Sequence, residues 1–298
     1  MIANLLNADN VVFTGVNIIL AWGVYLSLMT GTLSFAMAAF WAIGAYVSGV
    51  LTVNFGVPFF PAALAGTAAC FVAGLIVGFP ALRVRGLYLM LVTTGVTFSV
   101  QVGLENIEYV GGVQGIRGLQ GTTAGIVAGS VVAIGGAFWI LSRTPLQRIF
   151  DAAREDESVA ASLGINIVFV RVAGFAMGAA LAGYAGALYG HYVFFIAPEH
   201  FGILQSVFFA LFVVLGGVNN LWGPILGAVI ITLLPEVARE FGSWFAEIRQ
   251  LFFFGVLVVL LLFRSQGVLG FRSVSVKSTR ASLATRRALL KAHGDGDD

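Results

Sequence analysis

Apolar positions dominate the chain in long runs broken by short polar stretches, and between Asn10 and Leu82 there is no Asp, Glu, Lys or Arg. Runs of roughly 20 apolar residues are what a hydrocarbon core about 30 Å thick demands of helices. A membrane β-barrel would instead show alternating segments of about 10 residues. The pattern predicts an all-α, polytopic transmembrane bundle of about nine spans. They fall near 11–30, 34–53, 59–80, 87–104, 121–141, 168–191, 203–218, 222–238 and 249–263. The second contains "GTLSFAMAAFWAIGAY", rich in small residues, and is the span most open to being broken or re-entrant.

Composition agrees: 59% of the 298 residues are hydrophobic and 10% charged, against about 25% charged in soluble domains. Alternating the loops places Arg83, Arg85, Arg143, Arg148, Arg154, Arg171, Arg264 and the basic tail on one side, 13 basic residues in all. The other side receives three: Arg117, Arg239 and Arg249. The excess of Lys and Arg on cytoplasmic loops puts the N-terminus outside and the C-terminus inside. Residues 1–271 are read as the membrane domain, with a cytoplasmic loop near 143–167. Residues 272–298 are read as a polar, disordered tail beside anionic headgroups. The N-terminus lacks the basic stretch of a cleaved signal, so the first helix is kept in the mature protein.

Gly174, Gly178, Ala182, Gly186 and Gly190 recur every four residues in the sixth span, a ridge that lets another helix approach closely. "LGGVNNLWGP" (215–224) reads as a tight cytoplasmic reversal, with Pro224 suited to a first helical turn. "GGVQGIRGLQG" (111–121) does not match a dinucleotide fingerprint and reads as a shaped extracellular loop. The single cysteine, Cys70, lies in an apolar run and reads as a packed thiol.

The sequence carries no phosphate-binding loop and no metal-ligand cluster, so no catalytic residue, metal or cofactor is assigned to it. His191 and His200, at the outer end of a span, read as interfacial anchors, and no histidine is placed on a helix as a base for a serine. The acids Glu105, Glu108, Glu199, Glu236, Glu240 and Glu247 fall at or beyond span ends, which disfavours a proton-driven carrier. Thr93, Thr97 and Gln101, at i, i+4 and i+8, form a hydroxyl–amide stripe on the fourth span. Such a stripe either lines a path for a polar solute or bonds to neighbouring helices.

One segment breaks the pattern. "DAAREDESVAASLGIN" (151–166) gathers Asp151, Arg154, Glu155, Asp156 and Glu157. Its residues predict one short amphipathic helix from Asp151 to Leu163, ended by Gly164, with Val159 and Leu163 on one face. Such a helix in a cytoplasmic loop can lie on lipid, connect, or fit a groove on a partner.

Here the chain resembles the permease subunits of ABC importers, whose short coupling helix carries E-x-x-A-A-x-x-G, matched by Glu157, Ala160, Ala161 and Gly164. The resemblance extends over most of the chain to LivM-type permeases of branched-chain amino-acid importers. It is carried by "AAFWAIGAY" (38–46), "ALRVRGLYL" (81–89), "GGVQGIRG" (111–118) and "AAREDESVAASLGIN" (152–166). It continues through "AGALYGHYVFFIAPEHF" (185–201), "VVLGGVNNLWGPILGA" (213–228) and "LLFRSQGVLG" (261–270). Two departures stand out: "SFAMAAF" (34–40) where relatives often read "SLGHAAF", and "TTGVTFSV" (93–100) without an acid common nearby.

The resemblance implies a multi-pass protein of the bacterial inner membrane, paired with a LivH-like second permease subunit. It also implies two cytoplasmic ATPases, which bind the ATP and Mg, and a periplasmic or extracellular solute-binding protein; nucleic acid has no part. Arg154, Glu157, Val159, Ala160, Ala161, Leu163 and Gly164 would then form the ATPase-contacting loop. Similar permeases serve urea and short amides, and a self-sufficient channel or secondary carrier is the reading from another class.

Overall fold

The computed structural model describes residues 7–84, 86–218, 220–239 and 255. The chain begins with α1 (Ala8–Met29), α2 (Met37–Phe55), α3 (Phe59–Ala81) and α4 (Leu87–Asn106). Two 3-10 turns and the two-residue strand β1 (Ile116–Arg117) lead to α5 (Ala124–Leu141), α6 (Pro145–Glu155) and α7 (Glu157–Ser162). After α8 (Ile167–Val193) come β2 (Phe195–Ile196), a third 3-10 turn, α9 (Ile203–Gly216) and α10 (Gly223–Arg239). Among the described residues, seven segments are long and apolar enough to cross a membrane, and a shorter apolar stretch follows at Gly223–Pro235. These agree with the first eight predicted spans to within a few residues. The ninth, 249–263, and the tail 272–298 lie outside the described residues.

The crossings alternate, so the connections collect at two ends. At one end, β1 pairs antiparallel with β2 through Ile116–Ile196 and Arg117–Phe195, and Tyr192 donates to Asp9. At the other, here the basic end, Arg171 reaches Thr30 and Arg154 reaches Val218. The glycine-rich segment 111–121 is shaped by left-handed backbone: Gly111, Gly112, Gly115, Gly118 and Gly121 all have positive φ. A side chain on Gly115 would also strike the Ile196 carbonyl.

The longest helix, α8, is the axis of the bundle and packs along α1, α2 and α3. The crossing of α2, α3 and α8 is built on glycine. A Cβ on Gly44 would lie 2.1 Å from the Gly183 carbonyl, and one on Gly183 would lie 2.4 Å from Cys70 Sγ. Lipid supplies no hydrophobic drive for helix association, so close packing of this kind carries it. Cys70 is buried and donates to the Phe40 carbonyl at 3.1 Å.

Two expectations need correction. The second span is not broken internally: α2 is continuous from Met37, and the irregular backbone lies before it, at 30–36. Within that link Thr30, Thr32, Ser34 and Ala36 are buried, whereas Gly31 is exposed. His191 is not interfacial: it lies on α8 and is fully buried. Its Nε2 meets Thr52 Oγ1 at 2.9 Å and its Nδ1 meets the Ala187 carbonyl at 2.9 Å. A buried imidazole needs both nitrogens satisfied, and α2 and α8 provide the partners.

Candidate functional site

The charged segment folds as two helices, not one. α6 starts at Pro145, behind the extended residue Thr144, and buries Phe150 and Ala153. It stops because Asp156 is extended, at φ −149° and ψ 106°, and turns its carboxylate onto the amides of Ser158 and Val159. An aspartate in that position caps the following helix more favourably than it continues the preceding one. α7 then ends at Gly164, whose φ of +82° suits glycine. The hydroxyl of Ser158 and these amides hold the Asp156 carboxyl below its ordinary range, while burial pushes Asp151 up.

The pair of helices is tied to the bundle at several points. Glu157 on α7 forms an ion pair with Arg171 on α8, and Arg171 Nε donates to the Thr30 carbonyl at 3.4 Å. Arg154 on α6 donates to the Val218 carbonyl, in the turn between α9 and α10, at 3.4 Å. Ala160 is fully buried, whereas Val159 and Leu163 are 55% and 73% exposed. Ala161 lines a cleft of about 590 Å³ with Arg83, Glu157 and Arg171. A second cleft, about 400 Å³, lies between α6 and α1 and is lined by Tyr25, Asp151, Arg154 and Val218.

Thr93 and Thr97 are buried at a different node. The Phe35 amide donates to Thr93 Oγ1 at 3.0 Å. Thr97 Oγ1 and Ser206 Oγ both donate to the Phe35 carbonyl, at 2.7 and 2.6 Å. Ser206 also accepts from the Ala38 amide at 3.0 Å. Non-helical backbone inside a membrane bundle must find partners within the protein, and α4 and α9 supply them. Gln101, farther along α4, donates to Glu105 at 3.3 Å.

The glycine ridge of α8 splits its contacts. Gly174 faces Thr30 and Gly178 faces the Gly23 carbonyl, while Gly186 faces the Trp41 carbonyl. Gly190 sits in ordinary contact with Leu119 and Ala45, and Ala182 is fully buried between them. Among the described residues no group of three His, Cys, Asp or Glu is placed to hold a metal. Sequence reasoning missed Arg171, Thr30 and Ser206 as site residues. For Arg171 a signal existed: a charge just inside an apolar span needs a partner.

The chain matches the family model described as "Branched-chain amino acid transport system / permease component" over residues 8–261. It is 31% identical to the high-affinity branched-chain amino acid transport system permease protein LivM of Salmonella typhimurium, across 88% of this chain and 70% of that one. The LivM protein of Escherichia coli is 30% identical across 88% of this chain and 69% of its own. The LivH permease of Escherichia coli is 31% identical over a shorter stretch, 40% of this chain and 38% of that one. No solved structure matches the chain.

Proposed function

We propose, from the premise that the chain belongs to the branched-chain amino acid transport permease family, that it is one permease subunit of an ATP-driven importer. Its solutes would be branched-chain or related amino acids, crossing the bacterial inner membrane. In this reading the basic end faces the cytoplasm, because positive loops are retained there. A LivH-like second permease would complete the pathway, with Thr93, Thr97 and Gln101 on a helix near it. Two cytoplasmic ATPases would bind ATP and Mg and do the hydrolysis, and an external binding protein would deliver the solute.

One observation carries this reading. The α6–α7 pair is charged, capped and tied to α8 and to the α9–α10 turn, yet leaves Val159 and Leu163 exposed at the basic end. Apolar side chains on a short helix that is rigidly held fit a groove on a partner. A floppy loop would absorb a partner's movement; a tethered helix transmits it. Switching a bundle from 1:99 to 99:1 between two packings takes about 5.5 kcal/mol of differential binding, which the ATPases would supply through this contact.

The test is uptake of radiolabelled leucine, urea and acetamide into proteoliposomes holding the permease pair, both ATPases and the binding protein. ATP-dependent leucine accumulation supports the proposal. Accumulation of urea or amide alone would reassign the solute, and uptake that ignores ATP would reject the importer.

A further inference from the structure

We infer that Arg171 is a positioning residue that links α7 to the helices α4 and α9 through the non-helical segment 30–36. The inference rests on the importer reading for its transport consequences, but its structural half stands without it. Arg171 uses two donors at once: Nη2 holds Glu157 on α7, and Nε holds the Thr30 carbonyl. Arginine's fixed fork makes such a double tether possible; a lysine gathers its donors on one nitrogen.

From Thr30 the link to Phe35 is the short backbone itself, which is hydrogen-bonded at both ends. The hydroxyls of Thr30 and Thr32 both donate to the Ser27 carbonyl, at 2.8 and 2.7 Å. Gly174 on α8 lies so close to Thr30 that a Cβ there would come within 2.5 Å of its methyl. Thr30 is therefore packed directly against α8. At its far end, Phe35 is pinned on both backbone groups by Thr93, Thr97 and Ser206.

Thr93 and Thr97 stand six and ten residues along α4 from Leu87, about 9 and 15 Å at the helical rise. The link thus climbs from the basic end into the middle of the bundle. α4 is the element it grips best relative to its other packing. Leu89, Thr93 and Thr97 are the buried residues of that helix, and two of the three are the ones that hold Phe35. A displacement of Thr30 that passes along 30–36 must either break the bonds at Phe35 or carry α4 and the start of α9 with it.

Two measurements test this. First, hydrogen exchange is read on the purified permease in nanodiscs, without ATPases. Arg171→Gln should speed exchange of the amides of Gly31–Ala36 by about tenfold or more, the scale of one charge-assisted hydrogen bond. Arg117→Ala, which removes a cation over the Phe195 ring at the opposite end, should leave them unchanged. Should Arg171→Gln not insert, Arg171→Lys replaces it; it keeps a charge on Glu157, lacks the separate Nε donor to Thr30, and should raise exchange in the same segment. Unchanged exchange at 31–36 overturns the inference.

Second, solute moved per ATP is measured in the assembled importer for Glu157→Gln, Thr97→Val and the double variant. If one relay joins the sites, each single change lowers the ratio several-fold and the double is about as impaired as the worse single. Losses that multiply in the double would reject the relay. A wild-type assembly that moves no amino acid would reject the importer reading instead, and the exchange result would still decide the tether.

Discussion

Arg171, one turn inside α8, is paired with Glu157, 14 residues earlier at the start of α7. The arginine side chain is 11% exposed and the carboxylate 32%, so the pair sits where the bundle meets the surface. Exposed pairs contribute about 0–1 kcal/mol. Removing one partner of a buried pair costs more, about 3–5 kcal/mol, because a charge is left uncompensated. This pair lies between those limits. Its consequence for the fold is that α7 cannot tilt freely, although it is a helix of 6 residues that would not persist alone.

The break at Asp156 is testable by substitution and by pH. Asp156→Ala should unravel the start of α7, while Asp156→Asn, which can also cap, should preserve it. The Asp156 carboxyl is held below its ordinary range by the Ser158 hydroxyl and the Ser158 and Val159 amides. The folded state thus favours the ionised form. That stabilisation is present above the usual aspartate value, about 4, and is lost as the pH falls through the lowered one. Hydrogen exchange at Ser158 and Val159 should show protection at pH 6 that disappears only on strong acidification.

The helix crossing offers a steric prediction. Gly186→Ala would bring a Cβ to within 2.0 Å of the Trp41 carbonyl, whereas Gly129 meets nothing within 4 Å. Overpacking of this kind typically costs about 1–3 kcal/mol, and here the obstacle is backbone. Gly186→Ala should lower the unfolding midpoint in a denaturing detergent titration, and Gly129→Ala should leave it in place.

The node at Phe35 predicts an order of effects. Ser206→Ala removes a donor to the Phe35 carbonyl and also takes from the Ala38 amide its partner among the described residues. Thr97→Val removes a donor from a carbonyl that Ser206 still satisfies. A buried group left unsatisfied costs about 1–3 kcal/mol, so Ser206→Ala should be the more destabilising of the two in the same detergent titration. Equal midpoints would show that the node does not carry the link.

Much of this architecture is legible in the sequence because the bilayer imposes a length. Eight helices stand where runs of apolar residues required them, and Gly164 ends α7 as its type suggests. The break inside the charged segment was legible in principle, since Asp156 precedes a serine and a valine that need an N-terminal partner. The link at 30–36 was not. Its Phe35 backbone is satisfied by residues 58, 62 and 171 positions away, and no local pattern announces such partners. The same holds for His191, whose apolar neighbours and Thr52 partner arrive from another helix. Function became readable through the 151–166 segment, whose charge density has no use in lipid.

The decisive measurement is ATP-driven leucine accumulation in vesicles, with wild-type chain compared against Glu157→Lys. The wild-type should accumulate leucine only when the second permease, the ATPases and the binding protein are present. Glu157→Lys, which sets a second positive charge against Arg171, should insert normally and fall to background. Accumulation by the chain alone, or full uptake by Glu157→Lys, would contradict an importer driven through α7.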